Sequence, residues 1–100
     1  MTLSVSPTSV ARGGSITATW AGIPSPTSTD WLGLYTPGSP DNNTYQAWHF
    51  TTGSASGSIA FPIPATLPAG TYELRLYAHN TYTRLATSNP IVVPENWTGR

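Results

Sequence analysis

The sequence predicts an all-β domain, a sandwich of two antiparallel sheets, and three observations support this fold class. Short runs of alternating apolar and polar residues recur along the 100-residue chain. Turn-forming residues separate these runs, with 9 glycines and 10 prolines in all. No window shows the 3.6-residue period of an amphipathic helix. Many short strands joined by turns are typical of a β-sandwich, and the length suits one domain with one modest core.

Two strands are predicted near the N-terminus, at residues 2–6 and 15–20. The first ends at Pro7, which suits a sheet edge because proline has no N–H to donate to a neighbouring strand. A turn at residues 12–14 leads into the second strand, in which every other residue is apolar. The inward-facing residues of these two strands are predicted to be Leu3, Val5, Ile16, Ala18 and Trp20.

The third predicted strand, residues 30–35, carries large side chains on both faces. Leu32 and Leu34 are two positions apart and so lie on the same face of the strand, which is predicted to be the core face. Trp31 and Tyr35 then point outward from the sheet. An alternative interpretation keeps Trp31 structural, shielding the sheet edge while Gly33 lies beneath a neighbouring ring.

The fourth predicted strand, residues 44–51, has apolar residues at both odd and even positions. Alternation therefore does not decide which of its two faces points into the core. In one arrangement Trp48 and Phe50 lie in the core, and Ala47 and His49 lie outside. In the other, Trp48 joins Trp31 on the outer face. A one-residue slip in register exchanges the two arrangements.

Three further strands complete the predicted fold, at residues 58–61, 71–79 and 82–93, the last interrupted at Pro90. In the longest, alternation places Tyr72, Leu74 and Leu76 in the core. The opposite face carries Arg75, Tyr77 and His79. About seven short strands with this spacing indicate an immunoglobulin-like sandwich, in which the third and sixth strands are neighbours. Trp20, Phe61 and Tyr72 are predicted to be core aromatic residues.

The charge balance narrows the possible partners. Four basic and four acidic side chains give a formal net charge of zero, and charged residues make up 8% of the chain. In an average domain, charged residues make up about 25% of the chain. A nucleic-acid surface needs clustered basic residues, and a membrane span needs a long apolar run; the chain has neither. With no cysteine, it has no disulfide and no thiolate metal site.

Catalytic and metal-binding motifs are sparse. Asp30 precedes a strand and is interpreted as a turn cap, and Glu73, which alternates with Arg75 on one face, is predicted to form an ion pair across strands. A metal shared by His49 and His79 lacks a supporting ligand motif. Residues 41–43, Asp-Asn-Asn, could bind calcium through oxygen atoms, although an ordinary Asx turn is the favoured interpretation. We therefore expect neither an enzyme nor a cofactor.

Aromatic side chains, at 11% of the chain, exceed what so small a core can bury. Rings left on the surface indicate a partner that covers them. A pyranose ring has an apolar face that stacks on an aromatic ring and a rim of hydroxyl groups that bind polar side chains. The sequence therefore predicts a carbohydrate-binding surface, with the candidate residues Trp31, Tyr35, Trp48, Arg75, Tyr77 and His79.

Two motifs carry a resemblance to a known family: residues 29–35 (TDWLGLY) and residues 70–77 (GTYELRLY). With the surrounding pattern, over about residues 2–93, the chain resembles a small bacterial β-sandwich module appended to an endoglucanase. It is similar to carbohydrate-binding module family 81. The resemblance implies binding of β-1,4-glucan, mixed-linkage glucan or xyloglucan, with β-1,3-glucan as a further ligand, and no cleavage.

The resemblance also implies a context for the module. It would be secreted as part of a larger bacterial enzyme, monomeric, and tethered to a glycoside hydrolase domain. Its signal peptide would lie outside this chain. We expect one module over residues 1–93 and a linker or tail over residues 94–100, which includes Trp97. The alternative function is a structural or adhesive immunoglobulin-like spacer in a secreted bacterial protein.

Overall fold

A computed structural model describes residues 2–94, which form eight β-strands in two sheets. One sheet has the order β1-β2-β5; the other has the order β4-β3-β6-β7, with β8 also paired to β6. Every named strand pair is antiparallel. The predicted all-β sandwich is thus confirmed. The strands are β1 Thr2–Ser6, β2 Ser15–Ala21, β3 Trp31–Tyr35, β4 Ala47–Phe50, β5 Gly57–Pro62, β6 Gly70–Tyr77, β7 Arg84–Thr87 and β8 Ile91–Val93.

The last predicted strand is divided into β7 and β8, both beside β6. Between them, Ser88 N donates to Leu74 O (2.9 Å), while Leu74 N donates to the Ser88 hydroxyl (2.9 Å). A side-chain oxygen thus takes the place of a backbone carbonyl at the break. Pro90 follows, with no N–H to continue the ladder. The described residues include no helix that could cross a membrane.

The main core lies between the two sheets, and its aromatic members are those that alternation predicted. Trp20, Phe61 and Tyr72 are all buried, as are Leu32 and Leu34 on the core face of β3. The indole N–H of Trp20 donates to Ser54 O (3.1 Å), so the buried ring keeps a polar partner.

The chain crosses from one sheet to the other directly after β1. Thr2–Ser6 pairs with β2, and the Ser6–Pro7 peptide bond is cis. The next residues run parallel to β8: Val92 N donates to Thr8 O (2.7 Å) and Val10 N donates to Val92 O (3.0 Å). The first and last segments of the sandwich therefore lie side by side.

The register of β3 settles which residues share the outer face of the larger sheet. Trp31 lies between Phe50 of β4 and Tyr77 of β6, and Gly33 lies between Trp48 and Arg75. Directly paired residues point to the same face, so Trp48 lies on the outer face with Trp31. The sequence left two arrangements of the fourth strand open, and the structure has the one in which Trp48 joins Trp31 on the outer face.

Candidate aromatic cleft

Most of the predicted exposed face is covered. Trp31, Tyr35, Arg75 and Tyr77 lie on the outer side of the sheet, as parity predicts, but each is at most 5% exposed. The three rings form a second apolar cluster, separate from the main core, with Tyr45 packed against it. The prediction that these four side chains are open to solvent is therefore wrong, although their facing is right.

The cover is the connection between β3 and β4, residues 36–46, which folds back over the sheet. The Tyr35 hydroxyl donates to Asn42 O (2.6 Å), and the Tyr77 hydroxyl donates to Asp41 Oδ1 (2.7 Å). Burial raises the pKa of both phenols, so the hydroxyls stay protonated and act as donors. The loop thus supplies the polar partners that the outward tyrosines need once water is removed.

Arg75 is held beneath the same loop. Its guanidinium lies 4.4 Å from the centre of the Tyr35 ring, and its Nη1 donates to Pro40 O (3.2 Å). Its Nε donates to Glu73 Oε2 (2.7 Å), an ion pair along β6, whereas the predicted cross-strand pair of Glu73 is formed with Arg84 Nη1 of β7, at 3.9 Å. A buried arginine with these partners is a structural element of the cover rather than a ligand contact.

Asp41 fixes the loop to the sheet. Its Oδ1 accepts hydrogen bonds from Tyr77 and from Arg84 Nε (2.8 Å) and lies 3.4 Å from Arg75 Nη1. Burial alone would raise the pKa of Asp41, but the Tyr77 and Arg84 hydrogen bonds hold it below its usual value.

The Asx-turn interpretation of residues 41–43 fits this geometry. Asn42 Oδ1 accepts from Thr44 N (3.0 Å), as in an Asx turn, and the Asp41 carboxylate faces cationic donors. Within residues 2–94, no group of three or more His, Asp or Glu side chains could hold a metal ion.

The exposed aromatic residues lie at one corner of the outer face. Trp48, Phe50 and Tyr82 are 45%, 42% and 44% exposed, and the rings of Trp48 and Tyr82 lie 6.4 and 5.7 Å from the Trp31 ring, centre to centre. Between them is an open cleft with a volume of about 160 Å³. Its lining residues are Trp31, Tyr45, Trp48, Phe50, Asn80, Thr81 and Tyr82.

The rings of the cleft meet at steep angles. Trp48 and Phe50 are 4.8 Å apart, centre to centre, with 78° between their planes, and Trp31 and Tyr82 are 5.7 Å apart at 79°. Beneath them, Tyr77 stacks on Trp31 at 4.6 Å and 30°. The exposed rings therefore form the side walls of the cleft, the Trp31 ring forms its base, and the rings do not share one plane.

One wall is the turn at residues 78–83, between β6 and β7. Its Thr81 carbonyl accepts the indole N–H of Trp31 (3.0 Å), which joins the wall to the base. His79, predicted on the outer strand face, lies in this turn instead, because β6 ends at Tyr77. His79 is exposed, its Nδ1 lies 3.1 Å from Thr29 Oγ1, and it does not line the cleft.

Asp30 anchors the opposite side of this turn, and its predicted role as a turn cap is confirmed. The carboxylate accepts hydrogen bonds from Thr27 N (2.9 Å), Thr27 Oγ1 (2.7 Å) and His79 N (2.8 Å). Burial alone would raise the pKa of Asp30, but these hydrogen bonds outweigh it and lower the pKa below its usual value.

Of the six predicted site residues, the structure brings Trp31 and Trp48 together in the cleft. Tyr35, Arg75 and Tyr77 support it from below, and His79 lies outside it. Five other residues that line the cleft were not predicted from the sequence. Phe50 shares the parity of Trp48 and could have been found with it, whereas the others lie in loops, where alternation carries no signal: Tyr45, Asn80, Thr81 and Tyr82.

Comparison with known proteins yields a partial similarity. The chain is 32% identical over 80 residues to an Arabidopsis thaliana protein described as "Probable inactive purple acid phosphatase 9". The aligned region covers 76% of this chain but 12% of the plant protein. No protein-family model matches the chain.

Proposed function

We propose that this chain is a non-catalytic carbohydrate-binding module that holds a β-glucan chain in the aromatic cleft. The observation that carries the proposal is the cluster of three half-exposed rings, Trp48, Phe50 and Tyr82, around the base formed by Trp31. Large aromatic side chains left open to water are costly unless a partner covers them. Their rigid rings lose little conformational entropy on binding.

The chemistry of the lining favours a neutral, hydroxyl-rich ligand. No residue that lines the cleft carries a formal charge at neutral pH, and the chain has no net charge. The apolar face of a pyranose can stack on Trp48 or Tyr82, while the side-chain amide of Asn80 offers hydrogen bonds to its hydroxyl groups. A phosphate or a nucleic acid would instead require basic side chains.

The steep ring angles favour a single glucan chain over a crystalline surface. A crystal face presents many chains in one plane and is matched by coplanar rings. Here the planes of Trp48 and Phe50 differ by 78°. We therefore propose soluble or amorphous ligands: mixed-linkage glucan, xyloglucan and dispersed β-1,4-glucan, with β-1,3-glucan as a further ligand.

In a larger secreted enzyme, such binding would serve a tethered glycoside hydrolase domain. Holding the polymer near the catalytic domain raises its effective concentration without any new chemistry. The proposed module acts as a monomer, and its affinity is modest, with a Kd of roughly 1 μM to 1 mM.

Native affinity electrophoresis tests the proposal. The protein is run through gels that contain barley β-glucan, xyloglucan, hydroxyethylcellulose, laminarin, xylan or mannan. Retardation by the glucans, but not by xylan or mannan, is the expected result. Normal mobility in every gel, with a folded far-ultraviolet circular dichroism spectrum, would reject glucan binding.

The Trp48→Ala variant locates the site. Because the ring is 45% exposed, its removal should change the free energy of unfolding by less than about 1 kcal/mol. Loss of its stacking surface should weaken glucan binding about tenfold, as measured by isothermal titration calorimetry. Val92→Ala is the matched control, since Val92 is 44% exposed and lies on β8, away from the cleft. Equal affinities for the two variants would exclude the cleft as the site.

The alternative function is a spacer, and the plant similarity is the observation that favours it. A region alignable to 12% of a much longer protein suits an accessory β-sandwich that positions other domains. Under this alternative the cleft would contact a neighbouring domain, and no polysaccharide would retard the isolated chain. The phosphatase description concerns the plant protein as a whole, and we do not extend that activity to this chain.

A further inference from the structure

The turn at residues 78–83 contains two backbone conformations that side chains disfavour. His79 and Asn80 have φ angles of 44° and 55°, in the left-handed region. Isolated asparagine and histidine residues adopt this region more readily than most, but two in succession need support from their surroundings. The turn is also largely exposed, so core packing does not supply that support.

The support comes from the segment that precedes β3. The Asp30 carboxylate, 1% exposed, accepts the His79 N–H at 2.8 Å, and Thr29 O accepts the Asn80 N–H at 2.8 Å. Both left-handed residues are thus held through their backbone amides. A hydrogen bond to a buried carboxylate is stronger than one between neutral groups.

Three consecutive residues of the same turn, Asn80, Thr81 and Tyr82, form one wall of the cleft. Their placement follows from the backbone of His79, which the Asp30 carboxylate fixes. We propose that Asp30 is a positioning residue for the cleft: it touches no ligand, but it holds the turn in the conformation that lets the wall contact the bound chain. The ligand part of this inference depends on the proposed function.

Two variants separate this role from simple stabilisation. Asp30→Ala removes all three carboxylate hydrogen bonds, including the one to His79. Thr27→Val removes the contacts of the Thr27 hydroxyl with Asp30 Oδ1 and Thr29 Oγ1 but leaves the bonds from Thr27 N and His79 N to the carboxylate in place. If Asp30 acts only by closing the turn at residues 27–30, Thr27→Val, which weakens that turn, should also disturb the cleft.

The indole protons report the position of the turn without any ligand. Trp31 Nε1 donates to Thr81 O, inside the turn, whereas Trp20 Nε1 donates to Ser54 O, away from it. Hydrogen exchange measured by NMR should show faster exchange at the Trp31 indole in Asp30→Ala and wild-type exchange in Thr27→Val. The Trp20 indole should remain unchanged in both.

Binding to barley β-glucan, measured by calorimetry, completes the test. We expect Asp30→Ala to weaken binding at least fivefold and Thr27→Val to stay within twofold of the wild type. If the wild type binds and folded Asp30→Ala keeps both its affinity and its Trp31 protection, the inference is wrong. If the wild type does not bind, the proposed function fails, while the indole exchange still decides whether Asp30 holds the turn.

If Asp30→Ala does not fold, the same exchange and binding measurements are made on Asp30→Asn. The amide can keep its oxygen toward Thr27 Oγ1 and His79 N, but its NH₂ group then faces Thr27 N, and the bond from His79 N becomes a weaker one to a neutral acceptor. We expect a smaller loss of affinity and an intermediate rate of exchange at Trp31. Wild-type values of both in Asp30→Asn would overturn the inference.

Discussion

Gly33 shows at the scale of one residue how β3 accommodates two large rings on its outer face. A Cβ atom at this position would lie 2.5 Å from Tyr35 Cε1 and 2.9 Å from Trp31 Cζ3. Glycine weakens a strand because it has no side chain to pack. Here the rings of Tyr35 and Trp31 cover the gap, which confirms the part of the alternative interpretation that placed Gly33 beneath a ring. Its other part is wrong, because β3 lies between β4 and β6 and Trp31 therefore shields no sheet edge.

Gly33→Ala should therefore destabilise the domain by about 1–3 kcal/mol, since inserting a methyl group into packed rings forces them to move. Urea unfolding measures the loss, and near-ultraviolet circular dichroism should show altered packing of Trp31 and Tyr35. Gly38→Ala is the control: its φ of 87° adds backbone strain, but a Cβ there meets no atom within 4 Å. An unchanged aromatic spectrum in Gly33→Ala would contradict this account.

The loop at residues 36–46 is the element that converts an open sheet face into a buried one. It is fixed by Asp41, whose carboxylate joins Tyr77, Arg75 and Arg84. Because the folded pKa of Asp41 lies below its ordinary value of 3.8, the ionised form favours the folded state. This contribution is complete above about pH 3.8 and is lost as the pH falls through the lower, folded pKa.

Asp41→Asn should remove this part of the acid sensitivity. At neutral pH we expect the variant to lose about 0.5–1 kcal/mol, a modest figure because the Asp41 side chain is 37% exposed. As the pH falls below about 3.8, the wild type should lose more stability than the variant, as followed by thermal unfolding. An equal loss in both proteins would show that Asp41 does not link the loop to pH.

Alternation predicts strands well and loops poorly, which explains what the sequence could and could not establish. The outward facing of Trp31, Tyr35 and Tyr77 followed from parity because a strand places successive side chains on opposite faces. Their burial did not follow, since it depends on a connection that folds back over the sheet. Tyr82 enters the cleft through a turn whose left-handed residues, His79 and Asn80, leave no periodic pattern in the sequence.

Neutrality is the main electrostatic property of the whole molecule. The formal net charge is zero, and the charged side chains of the outer face are paired with one another beneath and beside the cover loop. The cleft itself is lined by uncharged residues. Binding there should depend on contact and hydrogen bonding, and not on long-range attraction.

Affinity for barley β-glucan should accordingly change by less than about twofold between 0.05 and 0.5 M NaCl, because screening weakens only interactions between charges. Affinity electrophoresis at the two salt concentrations measures this, with bovine serum albumin as the mobility reference. A steep loss of retardation at high salt would indicate that charged groups outside the cleft contact the ligand.

The parallel contact between residues 8–10 and β8 has a mechanical consequence. Because the first and last segments run in the same direction, Thr2 and Val93 lie toward opposite ends of the sandwich. Tension applied between these two ends would pull the segments past each other along their length. The bonds from Val92 N to Thr8 O and from Val10 N to Val92 O lie across that direction, so they would be loaded together in shear instead of being peeled apart one after the other.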